Sequence, residues 1–245
     1  MSGLGEIGEG FWLAAGAVGL AGLVRGFAGF GSAMIMIPAL AVLYGPTRAV
    51  PLGLLLEIVL SLPFVPAVRH QVDWRRMALL SVAGLAALPL GVAALLLVPP
   101  LPIRIAMSAL ILSFVAVLAF GWRYTGKPTD LATAGTGLLS GFLNGVVGMA
   151  GPPVVFFLLS GPYAAAEVRA STVVFFAIVD AGALIALGIA GAMGWDLAYD
   201  VLVLAPIYLL AAWLGARAFG HAHDALYRKV ALGILVAVAI GSLLG

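Results

Sequence analysis

Gly22-Leu23-Val24-Arg25-Gly26-Phe27-Ala28-Gly29-Phe30-Gly31-Ser32 and Gly141-Phe142-Leu143-Asn144-Gly145-Val146-Val147-Gly148-Met149-Ala150-Gly151-Pro152-Pro153 are the two stretches on which the fold turns. Setting Gly22 on Gly141 places Gly26 on Gly145, Gly29 on Gly148 and Arg25 on Asn144. Each stretch sits inside one long apolar segment, Phe11–Leu43 (33 residues) or Leu131–Pro162 (32 residues). A helix needs about 20 residues to cross the ~30 Å hydrocarbon core of a bilayer. These segments are too long for one crossing and too short for two comfortable ones. Each is therefore expected to be a hairpin broken at its glycines.

The composition makes lipid the bulk solvent. Of the 245 residues, 64% are hydrophobic and 9% charged, and the mean hydropathy is +1.20. A soluble domain is roughly 45–50% apolar and about 25% charged. With 12 Lys+Arg, 10 Asp+Glu and 3 His, a chain of this size cannot cover itself in water. A soluble enzyme, a disordered tail and a secreted disulfide scaffold are excluded. The absence of cysteine removes disulfides, thiol catalysis and cysteine-ligated metal. A net charge of +2, scattered along the chain, points to no nucleic-acid partner. The first ten residues hold Glu6 and Glu9 and no Lys or Arg, so they do not read as a cleavable signal.

Six further apolar segments fit one crossing each. They are Ala49–Val68, interrupted only by Glu57; Met77–Val98; Ile105–Trp122; Ala170–Gly194, interrupted only by Asp180; Leu197–Ala216, with Asp200 near its start; and Val230–Gly245. Arg48-Ala49 matches Arg169-Ala170, Trp74 matches Trp195 and Arg104 matches Arg228 in the same order along the two halves. The expected class is an all-α polytopic membrane protein with two repeats, residues 1–124 and 131–245, joined by a polar linker at 125–130. Each repeat is a glycine-rich broken or re-entrant hairpin followed by three transmembrane helices.

Charge sets the expected orientation. Lys, Arg and His gather in three loops: Arg69, His70, Arg75 and Arg76; Arg123 and Lys127; and Arg217, His221, His223, Arg228 and Lys229. The positive-inside rule places these in the cytoplasm. The N-terminus and the loops Pro99–Pro102 and Gly191–Asp196 carry no Lys or Arg and are expected outside. The first hairpin then starts and ends outside, the second starts and ends inside, and the C-terminus lies outside. The second repeat is upside down relative to the first, an inverted repeat of the kind used by secondary transporters. The arms of the first hairpin read as Phe11–Arg25 and Ser32–Leu43, about 22 and 18 Å at 1.5 Å per residue. Two re-entrant arms would meet near mid-depth, where irregular backbone must be buried in protein or line a cavity.

Such tips suit an anion. The second arm of each hairpin points its N-terminal N–H groups, and the positive end of its dipole, at the membrane centre. Gly26, Gly29 and Gly31 in one half, and Gly145, Gly148 and Gly151 in the other, permit close approach to backbone. Ser32 can cap its arm. Pro152 and Pro153 suit a first helical turn. Arg25 can pair bidentately with an oxyanion and Asn144 can add neutral hydrogen bonds. The alternatives are that the glycines only allow close helix packing, as expected for Gly16, Gly19 and Gly22, and that Arg25 forms an internal salt bridge to Glu57. Glu57 and Asp180 fall about 12 and 15 Å into their spans, near mid-depth. They can carry protons coupled to anion movement, or serve as fixed structural partners. Arg48, Arg169, Arg104 and Arg228, at the beginnings of spans, mark interfaces, with room for a gate. No metal or cofactor site is expected.

On these residues the chain resembles the TauE/SafE sulfite exporter family, also called the toluenesulfonate uptake permeases. The likeness runs over nearly the whole chain. It rests on Gly26-Phe27-Ala28-Gly29-Phe30-Gly31-Ser32 with Pro38-Ala39-Leu40, and above all on the glycine run from Gly141 that closes on Pro152-Pro153. Ala150 stands where the family usually has glycine. The resemblance implies a transporter of sulfur-containing anions such as sulfite, sulfonates or sulfoacetate in the bacterial inner membrane. Its partners would be that anion and lipid, with a homodimer left open. An anion channel with the same tips is the alternative. An intramembrane enzyme finds no motif, because all three histidines lie at loops and Gly137-Leu138-Leu139-Ser140-Gly141 is not a nucleophile elbow. A mere scaffold leaves Arg25, Glu57 and Asp180 unexplained.

Overall fold

The computed structural model describes residues 9–28, 30–120, 129–161 and 163–218. Those residues form helices and contain no strand. The first long apolar segment divides into α1 (Glu9–Ala28) and α2 (Ser32–Tyr44). Next come α3 (Pro46–Ser61), α4 (Val65–Val68), α5 (Trp74–Leu97) and α6 (Pro100–Phe120). The second long segment divides into α7 (Asp130–Val147) and α8 (Gly151–Ser160), followed by α9 (Ala165–Ile189) and α10 (Trp195–Ala218).

Among the described residues, five helical stretches are long and apolar enough to cross a membrane: Pro46–Gln71, Trp74–Leu97, Pro100–Val117, Ala166–Ile189 and Trp195–Arg217. They coincide with five of the six single-crossing segments read from the sequence. The sixth, Val230–Gly245, lies outside the described residues. So do Glu6, Arg123, Lys127, His221, His223, Arg228 and Lys229. Local chemistry sets the helix ends. Pro46 opens α3, where a missing N–H costs nothing. Asp73 caps α5 by accepting from the N–H groups of Arg75 (3.1 Å) and Arg76 (3.3 Å). Thr129 caps α7 by accepting from Ala132 N–H at 3.1 Å. Between α3 and α5 the chain tightens into 3₁₀ turns at Leu62–Phe64 and Arg69–Gln71.

The hairpin arms are less equal than expected. α1 has 20 residues and α2 has 13; α7 has 18 and α8 has 10. At 1.5 Å per residue the first arms reach about 30 and 27 Å and the second arms about 20 and 15 Å. The first arm does not stop at Arg25. Gly26 continues the helix because its missing side chain admits α10: a Cβ there would collide with the Ala212 carbonyl. Gly22 meets the Tyr208 carbonyl in the same way, while a Cβ on Gly16 would meet no neighbouring element within 4 Å. On α7, Gly137, Gly141 and Gly145 face the backbone of Leu80, Gly84 and Leu88 on α5. Both contacts are the small-residue packing that draws membrane helices together in the absence of a hydrophobic drive.

α1 therefore lies along α10, and α7 along α5. α3 and α9 pack on each other at the centre; α3 also touches α2 and α10, and α9 touches α8 and α5. The central pair is lined by a dense core that includes Leu52, Leu56, Phe175 and Val179. Exposed Val82, Leu90, Ile185 and Leu202 face outward, as side chains in lipid should. Trp12, Trp74 and Trp195 stand exposed at helix starts, where amphipathic rings settle at a membrane interface.

Candidate functional site

The two tips are built differently from glycine. After α1, Gly31 takes a left-handed conformation (φ 93°) and turns the chain into α2 at Ser32. After α7, Gly148 is the left-handed residue (φ 69°), and its N–H bonds the Asn144 carbonyl at 2.9 Å. Only glycine adopts these angles without strain. α8 then starts at Gly151 with Pro152 and Pro153 in its first turn. The tips touch: a Cβ on Gly148 would strike Ile37 of α2.

A small cavity lies where the tips meet α3 and α9. Its polar lining is Arg25, Ser32, Glu57, Asn144 and Asp180, with backbone from Gly31, Gly148 and Gly151. Phe30, Met34, Phe114, Met149 and Phe176 supply apolar walls. Its volume is about 30 Å³; on this measure one water needs about 10–15 Å³.

Arg25 is 6% exposed, Glu57 and Asp180 4%, and Asn144 1%. Arg25 Nη2 donates to Ser61 Oγ at 2.9 Å and faces Glu57 Oε2 at 3.7 Å. The guanidinium also lies 5.6 Å from the centre of the Phe176 ring, a cation–π distance. Both polar contacts run through Nη2. A guanidinium has five N–H donors, so capacity remains for an oxyanion in the cavity. Glu57 Oε1 accepts from the Ser32 hydroxyl and, at 3.0 Å, from the Tyr208 hydroxyl. In the second half, Asn144 Nδ2 donates to Asp180 Oδ1 at 2.9 Å. Asn144 Oδ1 is buried and has no hydrogen-bond partner among the described residues.

The structure thus brings Arg25, Gly31, Ser32, Asn144, Gly148 and Gly151 together with Glu57 and Asp180. Gly26 and Gly145 do not line the cavity but pack on α10 and α5. Pro152 is buried within the first turn of α8 and does not line it either. Gly29 lies outside the described residues. Tyr208 and Ser61 were not singled out in the sequence. A lone tyrosine in the middle of an apolar helix was the available signal for Tyr208. The cavity phenylalanines carried none, because they read as core.

A second charged cluster joins the start of α3 to the start of α10. Arg48 pairs with Asp196 at 2.8 Å and with Asp200 at 2.5 Å, and stacks 5.8 Å from the centre of the Tyr44 ring. Arg169, its counterpart on α9, is exposed. Arg76 lies 4.5 Å from the centre of the Tyr163 ring and 3.3 Å from Asp73. Burial pushes the Tyr163 hydroxyl above its ordinary pKa. Among the described residues no group of acids and histidines is arranged to hold a metal ion.

The sequence model of the family described as Sulfite exporter TauE/SafE matches residues 14–242. A protein of Cupriavidus necator, described as a probable sulfite/organosulfonate exporter TauE, is 24% identical over 187 residues, covering 74% of this chain and 72% of that one. No solved structure matches. Because the family match spans the glycine tips, both central carboxylates and five crossing helices, this multi-pass membrane chain belongs to the TauE/SafE sulfite exporter family, whose members are transporters and not enzymes.

Proposed function

We propose that this protein is a secondary transporter that moves a small sulfur-containing anion, of the sulfite, sulfonate or sulfoacetate class, across the bacterial inner membrane by alternating access. The observation that carries this reading is the convergence of both glycine tips, one arginine and two carboxylates on one buried cavity. The anion would be held by Arg25 and by the first-turn N–H groups of α2, whose dipole points the same way. The cavity is narrow, and its phenylalanines stand in the way of an aromatic sulfonate. An anion of few heavy atoms fits the site best.

The packing supports a two-fold relation between the halves. The first hairpin arm of each half lies along the second crossing helix of the other (α1 along α10, α7 along α5), and the first crossing helices, α3 and α9, pair at the centre. Inverted repeats that rock around such a centre expose one site to each side in turn. Glu57 and Asp180 supply the groups that proton coupling would need. The Lys/Arg distribution supports an orientation with both termini outside.

Purified protein in proteoliposomes tests the reading. Saturable sulfite or methanesulfonate flux driven by a pH gradient is the expected result. Unsaturable flux at single-channel rates would replace the transporter with the channel. Reporter fusions after Arg76 and at Gly245 should read cytoplasmic and external; a cytoplasmic Gly245 would end the inverted-repeat reading.

A further inference from the structure

We infer that Asp180, paired with Asn144, is the group that takes up the coupling proton; this rests on reading the cavity as an anion site. The two carboxyls lie at equal burial but in opposite company. Glu57 faces a cation and accepts from two hydroxyl donors. Asp180 accepts one hydrogen bond, from a neutral amide. The charged or titratable groups facing it are Glu57 on α3 and Arg25 on α1. Nothing titratable stands at this depth on α5, α7 or α8. Arg75, Arg76 and Asp130 sit at the first turns of α5 and α7, and Arg69 and His70 are exposed in the 3₁₀ turn against α9.

Asn144 gives the second, independent sign. Among the described residues its Oδ1 is an acceptor without a donor, in a side chain 1% exposed that lines the cavity. An unmet buried acceptor is costly. A protonated Asp180 repairs this, because the acid hydrogen can go to Asn144 Oδ1 while Asn144 Nδ2 keeps its bond to Asp180 Oδ1. The result is a two-point acid–amide pair. With the amide turned over the demand is the same: two acceptors 2.9 Å apart need a hydrogen between them.

Charge then links proton to anion. With Asp180 ionised, Arg25, Glu57 and Asp180 sum to −1, and a monoanion would enter a cavity already negative. With Asp180 protonated the sum is zero and the guanidinium is no longer outweighed. One proton therefore accompanies one monoanion: the proton goes to the Asp180 carboxylate, the anion to Arg25, and both leave together.

Methanesulfonate is the probe, because it does not titrate in the working range. Its binding to the purified full chain should weaken by about tenfold per pH unit above the titration of Asp180, the slope of one linked proton. Asp180→Asn should bind more tightly than the parent at high pH, with a flat profile. Infrared spectra of the parent should contain a protonated-carboxyl stretch that is missing in Asp180→Asn and shifted in Asn144→Ala. Asn144→Ala keeps the test alive if Asp180→Asn does not fold. Retention of the parent's pH slope in Asp180→Asn, loss of the band in Glu57→Gln, or affinity that follows sodium and not pH would each overturn the inference. If the parent shows the band and its shift but binds neither methanesulfonate nor sulfite, the anion-site reading fails while the proton assignment stands.

Discussion

The first tip sets a cation against its carboxyl and the second a neutral amide, at positions that match when the two glycine stretches are aligned. Arg25 and Asn144 align, and each reaches the mid-span carboxylate of its own half: Arg25 to Glu57 at 3.7 Å, Asn144 to Asp180 at 2.9 Å. The backbone differs in the same direction. The first turn of α2 offers the N–H groups of Ser32, Ala33 and Met34, all on the cavity. In α8 the two prolines remove theirs and leave Gly151. The two tips thus differ in the polar groups that they present to the cavity. The first is equipped for negative charge. The second pairs its carboxyl with a neutral amide.

The largest effect should follow from Arg25. Arg25→Ala removes the cavity's cation and leaves Glu57 buried without it, and uncompensated buried charges cost roughly 3–5 kcal/mol. Methanesulfonate binding should vanish by calorimetry. Arg25→Lys should weaken it by roughly tenfold, because the charge stays while the planar fork is lost. Unchanged affinity in Arg25→Ala would make the two tips equivalent and assign Arg25 to structure.

The next contrast is between the helix starts. Arg48 bridges α3 to Asp196 and Asp200 of α10, and Asp200 is 1% exposed. Its counterpart Arg169 is exposed on α9. Arg48→Ala should lower thermal stability by a few kcal/mol, short of the roughly 3–5 for a fully buried pair because Arg48 retains some contact with water. Arg169→Ala should stay within about 0.5 kcal/mol. Equal losses would show that the latch has a twin at the other end.

The glycines separate by neighbour and not by sequence. Gly141→Ala drives a methyl group into the Gly84 carbonyl. It should destabilise by about 1–3 kcal/mol, the usual cost of overpacking. Gly16→Ala meets nothing within 4 Å and should stabilise α1 by up to about 1 kcal/mol, since alanine is the better helix former. A thermal shift series would reverse this ordering if α7 and α5 were not in backbone contact.

That ordering also explains what the sequence could and could not disclose. Charge-free runs marked the crossing helices, because a charge in lipid is expensive wherever it falls. Mid-span Arg25, Glu57 and Asp180 stood out for the same reason. The arm lengths were not legible: Gly26 reads as a break, yet whether glycine breaks a helix or admits a neighbour depends on α10, nearly two hundred residues on. The Tyr208 bond to Glu57 spans 151 positions, and no local pattern encodes it. Glycines that turn the chain, Gly31 and Gly148, and glycines that pack, Gly26 and Gly145, look alike until their neighbours are known.

The smallest expected effect is a change of rate, and it asks whether two unlike tips still serve one ligand. The protein has no cysteine, so an introduced thiol is the sole target for a maleimide. Ser32→Cys places one on the first tip. Gly151→Cys places one on the second, where a Cβ meets Phe176 at an ordinary 3.5 Å. Each thiol, in a separate variant, should react with a membrane-impermeant maleimide through the cavity. Methanesulfonate should slow both reactions by the same fraction at each concentration, because a single occupant lies against both tips. Reactivity from one side of the membrane should fall when the protein is held open to the other. Protection of Ser32→Cys alone would mean that the anion rests on the ionic tip and never touches the neutral one. Equal reactivity from both sides in every condition would mean that the tips line a continuous path, and alternating access would give way to a pore.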